Sequence, residues 1–190
     1  MKQKFTKITG FLFVLGLAVS NCAQLGLNQK EANDKDMTNL LALAAVATEQ
    51  LALNGNWNDN FSNTHAISAQ KNIATGATSG SWVTKSTSST TDATVVEFDN
   101  ASKTVYTKTG VPSWCTGQGT SFPSCPCFDA KTCYNRNVWT IDSTGTYYYC
   151  QIVYNKPSLA EAKADTTTAD SSNPSASGCG SFSWTKLTRQ

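Results

Sequence analysis

The sequence has only one histidine, His65, in 190 residues. Catalysis by a Ser–His or Cys–His pair would have to use this side chain, because such reactions need a base that activates the nucleophile. His65 lies in a stretch rich in Ser, Thr and Asn, and the Gly-x-Ser-x-Gly motif of a nucleophile elbow is missing. We therefore interpret His65 as a solvated strand residue and expect that the protein is not an enzyme.

The sequence also lacks a recognisable pair of catalytic carboxylates and a Gly-rich phosphate-binding loop. Asp59, Glu97, Asp99 and Asp142 are scattered over predicted strand and turn positions. No spacing pairs two of them as the acid and the base of a hydrolase. We accordingly expect no catalytic residues, no bound metal and no cofactor.

No apolar run is long enough to cross a bilayer, which takes roughly 20 helical residues. The longest run covers residues 8–19, and three lysines precede it. A charged start followed by a short apolar core is typical of a removable signal peptide. Small uncharged residues then lead directly to Cys22. We predict that residues 1–21 direct export and that Cys22 carries the lipid; an ordinary secretory signal with a chance cysteine is the alternative.

An excess of positive charge is missing from the predicted mature chain. Three of the 15 Lys and Arg residues belong to the signal peptide, which leaves 12 cationic against 13 acidic side chains. Nucleic-acid-binding domains usually show a basic patch or a high pI. We therefore exclude nucleic acid as a partner and expect contact with the membrane through the lipid.

Six cysteines remain after Cys22, and an even number in an exported chain predicts disulfides. They are Cys115, Cys125, Cys127, Cys133, Cys150 and Cys179. A bond between Cys125 and Cys127 would close a strained small ring, so each should pair outward, with Cys115 and Cys133 in either order. A four-cysteine zinc site is the alternative, but the C-x-C spacing does not match the usual paired C-x₂-C motifs.

The remaining two cysteines predict a bond that ties the ends of the sheet together, Cys150 to Cys179. The first four lie in a Cys- and Pro-containing loop, residues 110–136, which also carries Trp114, Phe122 and Phe128. Crosslinks let such a loop hold one shape without a core of its own. It is either a stapled insertion or a rigid surface that binds a partner.

The mature chain reads as a polar tether, residues 22–35, followed by one domain, residues 36–190. Residues 37–53 are rich in Ala and Leu, contain neither Gly nor Pro and end at Asn54-Gly55, which predicts a helix. From residue 55 the alternation of apolar and polar residues predicts strands. The predicted strands cover residues 55–62, 64–72, 80–87, 93–99, 103–109, 136–142, 146–154 and 181–188.

Eight sequential strands in a chain of this length favour a mainly β fold, an antiparallel up-and-down barrel or strongly curved sheet, because closure removes exposed edges. A two-sheet β-sandwich is the alternative. A capping box at Ser158 and Glu161 predicts one short helix before the last strand, within residues 157–165.

Gly55-Asn56-Trp57 at the start of the first predicted strand resembles the Gly-x-Trp signature of lipocalins. That resemblance implies an eight-stranded barrel that carries a small apolar ligand. A row of large inward-facing aromatic residues would fill such a barrel, whereas small inward residues would leave a cavity.

Several longer segments resemble small surface lipoproteins of the spirochaete Leptospira, and the loose cleavage motif before Cys22 resembles spirochaete lipoboxes. The segments are Val138-Trp139-Thr140, Tyr147-Tyr148-Tyr149-Cys150, Ser158-Leu159-Ala160-Glu161-Ala162-Lys163 and Gly178-Cys179-Gly180-Ser181-Phe182-Ser183-Trp184-Thr185-Lys186-Leu187. The resemblance implies a lipid-anchored outer-membrane protein that faces the host and is adhesive, with a periplasm-facing or structural envelope protein as alternatives. The loop at residues 115–133 is not part of this pattern.

Cys22→Ser should abolish metabolic labelling with palmitate and release the protein from the membrane fraction, because the substitution removes the thiol that accepts the lipid. Labelling and membrane fractionation measure the two effects separately. A variant that still labels and still sediments with membranes would contradict the predicted lipid attachment.

Overall fold

The computed structural model describes residues 47–115, 125 and 127–190. These residues form nine β-strands, one 3₁₀ turn at Ser113–Cys115 and one short helix. The strands are β1 Thr48–Gln50, β2 Gly55–Asp59, β3 Thr64–Asn72, β4 Thr78–Lys85, β5 Thr90–Asp99, β6 Thr104–Gly110, β7 Thr132–Ile141, β8 Tyr147–Lys156 and β9 Thr185–Arg189, and the helix α1 is Leu159–Ala164.

Strands β2 to β9 form a closed eight-stranded antiparallel barrel. Each strand pairs with the next one in the sequence, and β9 pairs back on β2. The predicted up-and-down barrel and the short helix before the last strand are confirmed, and the sandwich alternative is wrong. Since every barrel strand has two neighbours, the barrel wall has no open edge.

Side chains alternate between the interior and the outer face along the strands, as a two-residue period requires. In β3, His65, Ile67 and Ala69 are buried while the residues between them are exposed. The turns β3–β4, β5–β6 and β7–β8 lie at one end, here called the lower end. The turns β2–β3 and β4–β5 and the described residues between 111 and 131 lie at the upper end.

The C-terminal part of the predicted 37–53 helix is wrong. Thr48–Gln50 form a strand that pairs with the lower half of β3, and a turn follows in which Leu51 and Leu53 are at most 1% exposed. Ala and Leu have high helix propensity, but tertiary packing outweighs propensity where two leucines can enter the core. The rest of that prediction, residues 37–46, lies outside the described residues.

Hydrogen bonds hold this segment across the lower end of the barrel. The Leu51 amide donates to the Ala69 carbonyl oxygen of β3 at 3.0 Å. On the opposite side, the Asn100 side chain in the β5–β6 turn accepts from the Ala52 amide at 2.9 Å and donates to the Gln50 carbonyl oxygen at 2.8 Å. Residues 48–53 therefore close the lower end.

Aromatic side chains fill the barrel interior above this closure. Tyr147 lies 5.1 Å from Trp57 and 6.0 Å from Trp139 between ring centroids, and Trp82 lies 5.0 Å from Tyr149. They belong to one cluster with Phe98, Val95, Val105, Ile67 and Leu187. Of the two predicted alternatives, large inward-facing aromatic residues or small inward residues, the structure has the large aromatic residues.

A second apolar cluster lies on the outer face of β7 and β8. Residues 166–184, here called the outer segment, cover this face, and the predicted disulfide between Cys150 and Cys179 is confirmed. Trp184 is buried in the cluster, and its Nε1 donates to the Asp170 carbonyl oxygen at 2.9 Å. The disulfide and the indole together fix the outer segment to the sheet.

The other four cysteines pair outward, as the C-x-C spacing predicts. Cys115 bonds to Cys125 and Cys127 bonds to Cys133, and all four are fully buried. The zinc alternative therefore does not describe these residues. The predicted loop at 110–136 is also too long, because its last residues belong to β7, which begins at Thr132.

Gly80→Ala should destabilise the barrel by about 1–3 kcal/mol, because overpacking a close contact forces the backbone apart. A Cβ at Gly80 would lie 2.3 Å from the Ser68 carbonyl oxygen and 2.5 Å from the Ala69 Cα of β3. Urea unfolding with linear extrapolation measures the loss.

The matched control is Gly110→Ala, a strand glycine whose added Cβ would have no atom of the described residues within 4 Å. This variant should be unchanged or slightly more stable, since alanine loses less backbone entropy than glycine on folding. Equal stabilities of the two variants would contradict the close packing of β3 and β4.

Candidate functional site

His65 and Asp59 form a buried pair near the upper end of the barrel interior. His65 Nε2 lies 3.1 Å from Asp59 Oδ2, and neither side chain is more than 1% exposed. The prediction that His65 is solvated is therefore wrong. Its position in β3 shares the parity of Ile67 and Ala69, and this alternation is the sequence signal that places it inside.

The hydrogen bonds around His65 determine its tautomer. Trp82 Nε1 donates to His65 Nδ1 at 3.2 Å, and Thr84 Oγ1 lies 3.0 Å from the same nitrogen. Because an indole N–H can only donate, Nδ1 must be the acceptor. The imidazole is therefore neutral, with its proton on Nε2, where it donates to Asp59.

Asp59 organises the β2–β3 turn. Its Oδ1 accepts from the backbone amides of Phe61 and Asn63, each at 2.8 Å, and its Oδ2 accepts from the Asn63 side chain at 2.8 Å. Burial raises the pKa of Asp59, but the hydrogen bonds from Asn63, His65 and Phe61 outweigh it and hold the pKa below its usual value. The charged carboxylate thus fixes a turn that leaves Phe61 60% exposed.

The contacts Thr84–His65–Asp59 have the order of a nucleophile–base–acid relay, but their geometry does not support that chemistry. The Trp82 indole already donates to the nitrogen that would have to take the Thr84 proton. Burial also raises the pKa of the neighbouring Tyr149 to about 12, so its phenol stays neutral. The arrangement satisfies buried polar groups and positions a turn.

The predicted partner-binding loop is only partly described. Trp114 belongs to the 3₁₀ turn, while its side chain and all of Phe122 lie outside the described residues, as does Cys22. Phe128 is half-buried, with Lys131 Nζ 4.4 Å from its ring centroid. The two disulfides hold the loop ends at the upper end of the barrel.

Exposed aromatic side chains that the sequence analysis did not select include Phe61, Tyr154 and Phe182, which are 60%, 56% and 76% exposed. Phe61 lies in the β2–β3 turn, and Phe182 lies in the outer segment. Alternation carries no signal in turns and irregular segments, so the exposure of Phe61 and Phe182 was not predictable.

The Gly-x-Trp motif has a structural role at the lower end. Trp57 Nε1 donates to the Leu53 carbonyl oxygen at 2.8 Å, and the Arg189 guanidinium lies 4.4 Å from the centroid of the Trp57 ring. Gly55 has a φ of +138°, and an added Cβ would lie 2.6 Å from Arg189 Nη1. The glycine therefore leaves room for the arginine of β9 to cover the tryptophan of β2.

Comparisons with protein-family models, curated proteins and solved structures find no match to this chain. Among the described residues, no helix is sufficiently long and apolar to span a bilayer. The same residues contain no group of three or more His, Cys, Asp or Glu side chains positioned to hold a metal ion.

Asp59→Asn should lower the free energy of unfolding at pH 7 by about 1–3 kcal/mol, because its amide would face the N–H donors of Asn63 and His65. The folded-state pKa of Asp59 is lowered, so its contribution is fully present above the unfolded pKa of about 3.9 and is lost as the pH falls through the folded value. Urea unfolding of both proteins at pH 7 and at a pH below the folded-state pKa of Asp59 measures how the difference in unfolding free energy changes.

The matched control is Asp92→Asn, which removes the same charge from an exposed position of β5. It should change the free energy of unfolding by less than about 0.5 kcal/mol at either pH. An Asp59 variant that loses no more stability than this control would show that the buried pair does not stabilise the fold.

Proposed function

We propose that this chain is a lipid-anchored, non-enzymatic envelope protein that binds a host or envelope protein through its outer surface. The observation that carries this proposal is the filled interior, where Trp57, Trp82, Trp139, Tyr147 and Tyr149 pack against one another. A carrier barrel needs space inside for its ligand. Recognition by this barrel is therefore assigned to its exterior.

The path of the chain supports presentation of the upper end. The Ala47 carbonyl oxygen accepts from the Ile73 amide in the β3–β4 turn, so the chain enters the barrel at the lower end. The disulfides Cys115–Cys125 and Cys127–Cys133 and the turn that carries Phe61 lie at the opposite end.

The composition of the upper end suits a protein contact. Binding energy at protein interfaces concentrates in a few aromatic side chains that are held rigidly. Two disulfides hold the ends of the loop that carries Trp114 and Phe122, and the Asp59 network holds the turn that exposes Phe61. A position on the outer membrane, facing outward, is part of the same proposal.

Replacing both Trp114 and Phe122 with Ala should weaken saturable binding of the full chain to cultured mammalian cells by at least about tenfold, since truncating one aromatic hot spot costs 2 kcal/mol or more. Binding of the fluorescently labelled chain, measured against concentration, gives the affinity. Circular dichroism checks that the barrel is retained.

The matched control is Ile73→Ala, which truncates a side chain that is 62% exposed at the lower end. It should bind as the unchanged chain does. Unchanged binding by the double variant would remove the loop from the proposal. Protection of the domain from protease added to intact cells would contradict an outward-facing position.

A further inference from the structure

We propose that a groove on the outer face of the barrel binds a carboxylated pyranose, such as a uronic or sialic acid residue of a glycan. The groove runs along β7 between the outer face of β6 and the outer segment, and its volume is about 360 Å³. This volume lies at the small end of the range of ligand sites, about 300–1,000 Å³. It is suited to one or two sugar rings.

Hydroxyl groups line both sides of the groove. Ser102, Thr104 and Thr140 belong to the strand side, and Thr167, Thr168 and Ser171 belong to the outer segment. A hydroxyl group has one donor and can also accept. Ser102 Oγ already donates to Asp99 Oδ2 and Thr104 Oγ1 to the Ser102 carbonyl oxygen, so these two hydroxyls can accept from a sugar hydroxyl. Half-buried Tyr106, Val138 and Ile152 supply apolar surface for the C–H face of a ring.

The charged side chains that line the groove are both cationic. Lys103 Nζ lies 5.7 Å from the centroid of the Trp139 ring, and Arg136 Nη1 donates to the Asp165 carbonyl oxygen at 2.7 Å. Arg136 Nη2 donates to the Thr167 carbonyl oxygen. Within the described part of the chain neither cation forms a salt bridge. Both Nη atoms of Arg136 are bonded to carbonyl oxygens, so Arg136 adds positive charge to the groove, and exposed Lys103 is the cation that can contact a ligand carboxylate directly.

The carboxylates nearest in sequence to the lining residues already have partners. Glu97, which pairs with Tyr106 across β5 and β6, bonds to Lys163 at 2.8 Å, and Asp165 bonds to Lys156 at 2.9 Å. Asp170 accepts from the Ser172 amide, and Asp99 accepts from Ser102. Among the residues that the structure describes, no carboxylate lines the groove, so an anionic ligand meets no unpaired acid from them there.

The groove is held in shape before any ligand binds. The Cys150–Cys179 disulfide and the Trp184–Asp170 hydrogen bond fix the outer segment. Arg136 Nη2 donates to the Thr167 carbonyl oxygen at its start. A preformed site avoids the entropy cost of ordering a loop on binding. Weak sugar–protein contacts can therefore add up to measurable affinity.

The test uses the full chain in detergent and titrates hyaluronan tetrasaccharide, sialyllactose and the neutral sugar lactose, followed by calorimetry. At least one carboxylated glycan should bind saturably and at least about tenfold more tightly than lactose, as loss of a charge-assisted contact predicts. Preference for hyaluronan would identify uronate as the source of the carboxylate, and preference for sialyllactose would identify sialic acid.

Lys103→Glu should weaken that binding by at least about tenfold, because it places a negative charge beside the ligand carboxylate. The matched control is Lys108→Glu, at an exposed lysine of β6 that does not line the groove, and it should bind as the unchanged chain does. Equal binding of lactose, equal affinities of the two lysine variants or no saturation up to about 10 mM would overturn the proposal.

This experiment is independent of the loop contact proposed above. None of the described residues between 111 and 131 lines the groove. The variant with Ala at Trp114 and Phe122 should therefore keep its sugar binding while losing its cell binding, so failure of one proposal does not carry over to the other.

Discussion

Packing of aromatic rings inside a closed sheet is the interaction on which the rest of this structure depends. An eight-stranded barrel leaves an interior just wide enough for side chains, and each large aromatic side chain that enters it removes about 150–250 Å² from water. The rings come from β2, β4, β5, β7 and β8, so the cluster is complete only when distant strands have met. Closure of β9 on β2 therefore completes the burial of this cluster.

The closed interior also excludes water from the Asp59–His65 pair above the aromatic rings. A carboxylate and an imidazole that lose contact with water must find partners within the barrel, because an unsatisfied buried group is costly. Asp59 meets this requirement with amides of the turn that follows it, and His65 meets it with Trp82. The same hydrogen bonds therefore do two things. They pair the buried polar groups of the upper interior, and they fix the conformation of the turn that exposes Phe61.

The alternation of apolar and polar residues predicted most of the strands. The strands from residue 64 to residue 109 are predicted within a few residues, and the β7–β8 hairpin has Gly145 at a φ of +84°, as a Gly-containing turn favours. The C-x-C spacing correctly excluded a bond between Cys125 and Cys127, but it left open which of them pairs with Cys115 and which with Cys133. The wrong predictions have two causes. Leu51 and Leu53 lie in a sequence that favours a helix, but they form a turn because both side chains pack in the core. The polar residues around His65 suggested exposure, whereas its place in the alternation of β3 puts it inside. The groove combines segments from three strands and the outer segment, so no local pattern could have predicted it.

The segment that closes the lower end also decides how the barrel responds to mechanical load. A pull on the chain N-terminal to Ala47 acts along β1, whose three residues pair side by side with the lower half of β3. In this direction the hydrogen bonds of β1 are sheared together instead of being opened one at a time. Behind them, Leu51 and Leu53 would have to leave the core before tension could reach β2. A barrel of this design resists being drawn open by a pull on the chain that precedes it.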